Sequence, residues 1–423
     1  MLSRTTSRKI ADLERAGVLE VNDGYRAKNV ELGNVGLPFA RVPNVSDGFS
    51  FEGADLLLPA SVQRAGSKIS RPEDCVLTTK GSVGRFAFVR EDTPRFVYSP
   101  QICYWRVLDR TVIEPRWLHY WMQSREFGDQ ADAVKGSTDM ADYVSLTNQR
   151  RMLVTLPAIE DQRRVAAILG AIDDLMEISR RRIALHDEVL RMVYREWFVE
   201  RRFPGHEAIE NADAAGAPLP AGWRVAELGT LADLNAQKVR AADAPPSIDY
   251  VDISSVSPGE VKRTDRVRFE DAPGRARRRV AHGDTIWSSV RPNRRSFAVV
   301  LNPSDDLIVS TGFTVITPRD LPWTYEYFAV TSDPFVDFLV GHATGAAYPA
   351  VTATDFALAP VVVPKADLLE RFHRFAEPAM LLVDGLRRAN ATLRSTRDLL
   401  LPRLVGGPVD TARVSGPTQH PAT

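Results

Sequence analysis

The chain has 423 residues, 44% of them hydrophobic and 26% charged, which is enough for two ordinary globular cores and too apolar for a disordered chain. Its 54 basic and 54 acidic residues balance, so the protein is not an indiscriminate polycation, and any affinity for nucleic acid has to come from local patches. Arg outnumbers Lys among the bases; that suits phosphate and guanine recognition, but a GC-rich genome gives the same bias and is the first explanation.

Taken in chain order, Pro38-Phe39-Ala40-Arg41-Val42 alternates like a strand, and Asp74-Cys75-Val76-Leu77 is a second strand. The turn Lys80-Gly81-Ser82-Val83-Gly84-Arg85 leads into a third strand, Phe86-Ala87-Phe88-Val89. An aromatic amphipathic helix is predicted over Trp117 to Phe127, then a loop at Gly136 and a short apolar strand, Leu153 to Pro157. From Ile159 to Arg202, heptad spacing sets Leu169, Met176, Ile183, Leu190 and Trp197 on one seam, with Ile172 and Val193 beside it. Pro204-Gly205 stops this helix, and an Ala- and Gly-rich linker follows.

The same order then returns at a shift near 211 residues. Asp249-Tyr250-Val251-Asp252-Ile253 meets the first strand, and Asp284-Thr285-Ile286-Trp287 meets the second. Arg291-Pro292-Asn293-Arg294-Arg295 meets the turn, and Phe297-Ala298-Val299-Val300 the strand after it. An aromatic helix over Tyr325 to Phe338, a loop at Gly345 and the strand Val361 to Pro364 complete the second copy. In the closing helix Phe372, Ala379, Leu386, Leu393 and Leu400 repeat every seven, flanked by Phe375, Leu382 and Ala389, while Pro378 predicts a short helix running into a longer one. Two amphipathic helices packed on separate cores would show the same periodicity, but equal stretches closing equal repeats favour pairing with one another. The expected organisation is a first domain over 1–157, a helix over 158–204, a linker over 205–218, a second domain over 219–364, a helix over 365–405 and a disordered tail over 406–423. The fold class is α+β: two β-rich mixed domains joined by two long helices in an antiparallel coiled coil, with pseudo-twofold repetition.

Read as a whole, the chain resembles the specificity subunit of type I restriction-modification enzymes. The resemblance is carried by Leu156-Pro157-Ala158-Ile159-Glu160-Asp161-Gln162-Arg163 with Ala166, Ile168 and Leu169, by Leu219-Pro220-Ala221-Gly222-Trp223, and by Lys80 to Arg85 in its strand context. Two departures stand out. No Leu-Pro-x-Gly-Trp precedes the first domain, and the second helix opens Val363-Pro364-Lys365-Ala366-Asp367 without the Glu and Gln of the first. The resemblance implies a non-catalytic DNA-specificity subunit whose two target recognition domains read a split, asymmetric site in double-stranded DNA. It also implies that the helices dock two methyltransferase subunits, and that a nuclease/translocase subunit joins them. S-adenosylmethionine, ATP and magnesium are then expected on the partner subunits and none on this chain. A helix over Ala171 to Glu200 would be about 45 Å long at 1.5 Å per residue, enough to hold two readers about one DNA turn apart, with an unread gap of about 5 to 8 base pairs.

A basic run supports DNA as the ligand. Lys262 to Arg295 holds eleven basic against four acidic residues; Arg64 to Arg95 is milder, with seven against four. An isolated charge run is most often a solvated face, but this one flanks the repeated turn. The candidate DNA contacts are Lys80, Ser82, Arg85, Arg277, Arg278, Arg279, Arg291, Arg294 and Arg295 for phosphates or guanine edges, and Asn293 for adenine. Gly81 and Gly84 read equally well as tight-turn residues or as room for DNA. The candidate partner-binding residues are Tyr194, Trp197 and Phe198, on the apolar edge of the first helix.

Other chemistry is missing. There is no Pro-Pro-aromatic or Gly-rich methyl-donor loop; Ser332-Asp333-Pro334-Phe335 reads as a helix start. Walker loops are absent, the histidines have no ligand spacing, and Asp249, Asp252, Glu260 and Lys262 have no counterpart in the first copy that would make a metal-nuclease set. No apolar run reaches the ~18–20 residues of a membrane span, and Met1 to Lys9 is polar where a signal peptide is apolar. With only Cys75 and Cys103, the expectation is a cytoplasmic protein with reduced core thiols. Alternatives of other kinds are a coiled-coil protein scaffold of a defence complex, a specificity subunit serving methylation alone, and a divergent enzyme.

Overall fold

A computed structural model describes residues 6–46, 48–134, 143–205, 219–240 and 244–406. The loop at Gly136, most of the linker and nearly all of the expected tail lie outside the described residues. The chain divides into two compact units, one running to Ile178 and resuming at Asn390, the other Ser179–Ala389. Each contains a stretch of both long helices.

In the first unit, an antiparallel sheet has the order Leu19–Asp23, Ile102–Val107, Cys75–Thr78, Phe86–Phe88. Both of its faces are covered, so alternate residues enter different cores. Cys75, Leu77 and Trp105 face a core with Trp117, Leu118 and Trp121, while Val76, Ile102 and Tyr104 face one with Phe96 and Tyr98. The second sheet has the order Val97–Tyr98, Leu37–Ala40, Leu56–Leu57, Leu32–Gly33, and its first pair is parallel. Thr6–Lys9 pairs antiparallel with Leu153–Leu156, which ties down the amino-terminal segment.

The second unit repeats the antiparallel sheet strand for strand and the second sheet in part. Ala232–Leu234, Phe313–Pro318, Thr285–Ser288 and Phe297–Val299 make the antiparallel sheet. Ser247–Val251 pairs parallel with Leu307–Ser310 and antiparallel with Asp265–Arg268, and Arg224–Glu227 pairs with Pro360–Val363. The added edge strand differs: Ala276–Arg279 lies beside Leu307–Ser310, where the first unit has only an isolated bridge, Ile69 to Val97. Each aromatic helix expected as one piece is two, Pro115–Trp121 with Arg125–Asp132 and Trp323–Val330 with Asp333–His342. The Ser124 hydroxyl, accepting from the Phe127 N–H, starts the second piece in one unit, and Pro334 follows Ser332 in the other.

The first long helix spans Ile159–Tyr194, 36 residues or about 54 Å, and ends in a π turn over Arg195–Val199. The second spans Ala366–Val405 without a break, so Pro378 does not divide it as expected. Pro378 is exposed, and the loss of its N–H leaves one carbonyl to water. Within each unit the two helices run antiparallel: Asp173 meets Arg397 and the Met176 carbonyl meets the Asn390 amide in one, while Asp187 meets Arg387 and Tyr194 meets Phe372 in the other. Leu169, Met176, Leu190 and Phe372 are buried as the seam requires. The flanks are not, since Phe375, Leu382 and Ala389 are exposed and Ala376, Met380 and Val383 are buried in their place. A straight helix of 3.6 residues per turn drifts away from a seven-residue stripe, so the inward face passes to these neighbours. Gln162, the residue that the second helix start lacks, is a buried clamp: it accepts from the Glu114 N–H and donates to the Val112 and Pro157 carbonyls. Leu369 is buried seven residues beyond Val362, at the matching place.

Candidate nucleic-acid interface

The repeated turn begins in the same way in both units. It leaves the strand at a buried hydroxyl: Thr78 donates to the Ser82 carbonyl (2.6 Å) and accepts from the Arg85 N–H (3.0 Å), while Ser288 donates to the Val290 carbonyl (2.9 Å). Two left-handed positions then reverse the chain. In the first unit they are Gly81 (φ 84°) and Gly84 (φ 90°), and a Cβ at either would meet nothing within 4 Å, so backbone conformation selects glycine there. In the second unit they are Arg291 (φ 52°) and Arg295 (φ 54°). A left-handed conformation costs a non-glycine residue about 1 kcal/mol or more and persists only where other contacts hold it.

Those contacts are present. The Arg291 N–H donates to the Pro349 carbonyl (2.6 Å), and its guanidinium donates to the Ala347 carbonyl (3.2 Å) and lies 4.5 Å from the ring centre of the exposed Tyr348. Arg295 is paired with Asp333. Asn293 and Arg294 stand exposed at the tip. In the first unit Lys80 and Ser82 are exposed, Lys80 bridges the backbone of Tyr143, and the Arg85 guanidinium is held by the Val42 and Val45 carbonyls.

The structure therefore gathers Arg291, Asn293, Arg294 and Arg295 in one turn and Lys80, Ser82 and Arg85 in the other. Arg277, Arg278 and Arg279 lie on a different sheet, in its edge strand. There Arg277 stacks on Phe269 (4.9 Å) and donates to the Ala276 carbonyl, and Arg279 donates to the Asp305 carbonyl (3.3 Å). Half-buried Arg278 has its Nε without a partner, and burial lowers its pKa.

The basic run is less basic in three dimensions than along the chain. Arg266 pairs with Asp249 and Asp306, Arg275 with Asp252, Arg263 with Asp265, and Arg268 with Glu270 and Asp271. Three of these acids are nearby in sequence and three, Asp249, Asp252 and Asp306, come from outside the run, so counting along it misses them. Lys238 and Arg240 add exposed positive charge, Lys238 bridging the backbone of Arg278. They escaped the sequence reading because they precede the run by more than twenty residues.

Tyr194, Trp197 and Phe198 do not form an exposed docking edge. Phe198 is buried, and all three pack on Phe372 within the second unit's core, Tyr194 also against Tyr325 and Phe328. Their aromatic bulk fills the junction of helix and sheet, so the predicted partner edge is corrected. The same helix does expose apolar residues in this unit, Leu185, Met192 and Val199, spaced by seven. Among the described residues no group of three His, Cys, Asp or Glu side chains is placed to hold a metal, and no helix is long and apolar enough to cross a membrane. Cys75 and Cys103 are buried free thiols, both pushed up in pKa by burial.

A stretch of 97 residues is 27% identical to the specificity subunit of the type I restriction enzyme HindI of Haemophilus influenzae; it covers 23% of this chain and only 21% of that relative's length. The fold is similar to the crystal structure of the S subunit of a type I restriction-modification system from M. genitalium, with a TM-score of 0.60 over 95% of this chain and 96% of that one, at 13% identity. An HsdS subunit from Thermoanaerobacter tengcongensis, 18% identical, covers 96% and 94% of the two chains with a TM-score of 0.31, too low to align the folds as wholes. No protein-family model matches the chain. The resemblance to type I specificity subunits read from the sequence is borne out, in sequence over that stretch and in fold along nearly the whole chain.

Proposed function

We propose that the chain is the non-catalytic specificity subunit of a type I restriction-modification complex. Each unit reads one half of a bipartite, asymmetric site in double-stranded DNA, with a gap of about 5 to 8 base pairs between the halves. The observation that carries this reading is the repetition itself: each unit holds an antiparallel four-stranded sheet of matching order with a turn at the same place, yet the two present different side chains at that turn. A duplicated scaffold with divergent tips suits two different base sequences. Arg291 and Arg294 serve the phosphates, Asn293 an adenine edge, and Lys80 and Ser82 the other half-site.

Two methyltransferase subunits dock on the helices, with Leu185, Met192 and Val199 as an apolar landing strip, and a nuclease/translocase subunit completes the complex. S-adenosylmethionine, ATP and magnesium belong to those partners. The protein acts in the cytoplasm, where the DNA is. Methylome sequencing of a host with and without this gene tests the reading: a split adenine-methylation motif should appear only when it is present. An unchanged methylome would favour the protein-scaffold alternative, which also predicts that DNA binding by the assembled complex ignores substitutions at the turns. A split motif without any restriction of unmodified DNA would mark a methylation-only system.

A further inference from the structure

The segment Arg26–Gly36 of the first unit was not singled out by the sequence, and it carries two Asn-Val pairs, Asn29-Val30 and Asn34-Val35. All four residues are exposed; Val30 is 82% and Val35 61% accessible, and neither asparagine side chain has a partner among the described residues. One exposed valine is ordinary. Two in one short segment, on either side of the strand Leu32–Gly33 and each beside an exposed amide, need another reason.

The tip is also held stiffly. Its backbone leaves Leu32–Gly33 on one side of Leu56–Leu57 and returns as Leu37–Ala40 on the other, so that Leu32 and Leu37 both pair with Leu57. Gly36 (φ 128°) makes the crossing, where a Cβ would come within 1.9 Å of the Leu57 carbonyl oxygen. Behind it the Glu31 carboxylate gathers the Lys28 N–H (2.7 Å), the Tyr25 hydroxyl (3.0 Å) and Arg64. The Lys28 N–H, aided by Arg64 and Tyr25, holds Glu31 at a pKa of about 2, so this knot is ionised at any working pH. With the Glu31 charge balanced by Arg64, the exposed cations Arg26 and Lys28 set the local charge.

We infer that this tip reads A·T base pairs in the major groove of DNA, the Asn29 and Asn34 amides addressing adenine and the Val30 and Val35 methyls the thymine methyl group. An asparagine amide matches the N6 donor and N7 acceptor of adenine, and apolar side chains favour the thymine methyl. A rigid loop spends little entropy on binding, and flanking cations attract the phosphates. In the second unit the matching segment carries Lys238 and Arg240 instead, so the two half-sites are read with different chemistry.

The assignment rests on the proposed function, and one experiment separates the two. The full chain is coexpressed with its methyltransferase partner in a host free of other adenine methylation, and the methylated motif is read for wild type, Asn29→Ala, Asn34→Ala and a Val30→Ala/Val35→Ala double variant. The expected result is an about tenfold loss of preference at one or two A·T positions in one half of the motif, with the other half unchanged. A motif identical in all variants overturns the reader while leaving the specificity function standing. Uniformly weaker methylation with no change of motif makes the tip a phosphate or protein contact and overturns it too. Absence of any split motif with the wild type overturns the specificity function and the reader with it.

Discussion

Glu326 is the most exposed point of weakness in the second unit's energetics, although it is fully buried. Its two carboxylate oxygens have no partner, and burial, reinforced by the charge of Asp284, raises its pKa to about 8. The first unit shows what is missing: buried Asp74 is clasped there by Arg106 (2.7 and 2.8 Å) and by the Tyr98 hydroxyl (2.8 Å), whereas Asp284, also raised by burial, has Thr317 nearby and one oxygen unpaired. A carboxyl that holds its proton more tightly when folded gives full stability below its unfolded value of 4.5, and that stability drains away as pH rises to about 8. At about 1.4 kcal/mol per unit, the loss reaches roughly 3 kcal/mol at pH 7 and about 5 at pH 8 and above. Glu326→Gln keeps the shape and removes the ionisation. Amide hydrogen exchange of the Trp323–Val330 helix, measured from pH 5 to 8.5 after correction for intrinsic rates, should show nearly equal protection at pH 5 and an increasingly better protected variant above it. Two protection profiles that stay parallel over the whole range would refute the argument.

The first unit should respond in the opposite sense. His119, buried with Nδ1 unpartnered, is lowered by burial to a pKa of about 4, so stability present above 6.5 is lost as pH falls toward 4, and exchange from Pro115–Trp121 should quicken there by about 2 kcal/mol at pH 5. Arg106→Met strands Asp74 in the core and should cost about 3–5 kcal/mol in urea denaturation. Arg291→Ala with Arg294→Ala should weaken DNA binding by the assembled complex and flatten the slope of log K against log salt by about two; an unchanged slope would remove both from the phosphate contacts. Leu185→Ser with Met192→Ser should leave melting within about 0.5 kcal/mol of wild type but reduce copurification of the methyltransferase, whereas Leu190→Ala, inside the core, should cost about 2–5 kcal/mol.

What the sequence made legible is what repeats or alternates. The strands around Cys75 and Thr285 could be placed because both of their faces are buried, which demands unbroken apolar residues, and the second copy supplied an internal check. The seam through Leu169, Met176 and Leu190 was readable for the same reason, while Tyr194, Trp197 and Phe198 show its limit: periodicity tells which residues face inward but not which core they enter, and aromatic side chains at a helix end look alike whether they meet a partner or their own sheet. Charge was the poorest guide. A run such as Lys262 to Arg295 is read along one dimension, and two of the acids that offset it, Asp249 and Asp306, reach Arg266 from 17 and 40 residues away, one from either side of the run. The turns themselves were legible, but the left-handed backbone of the second was not. Gly81 and Gly84 announce left-handed backbone, but Arg291 and Arg295 in the same conformation have no such signature, because the contacts that enforce it, Pro349 on the Arg291 N–H and Asp333 on the Arg295 guanidinium, lie forty to sixty residues away. A turn that needs distant contacts to hold an arginine against its preference is pre-shaped before any ligand arrives, and a long cation fixed in place at low entropic cost is what a phosphate backbone rewards.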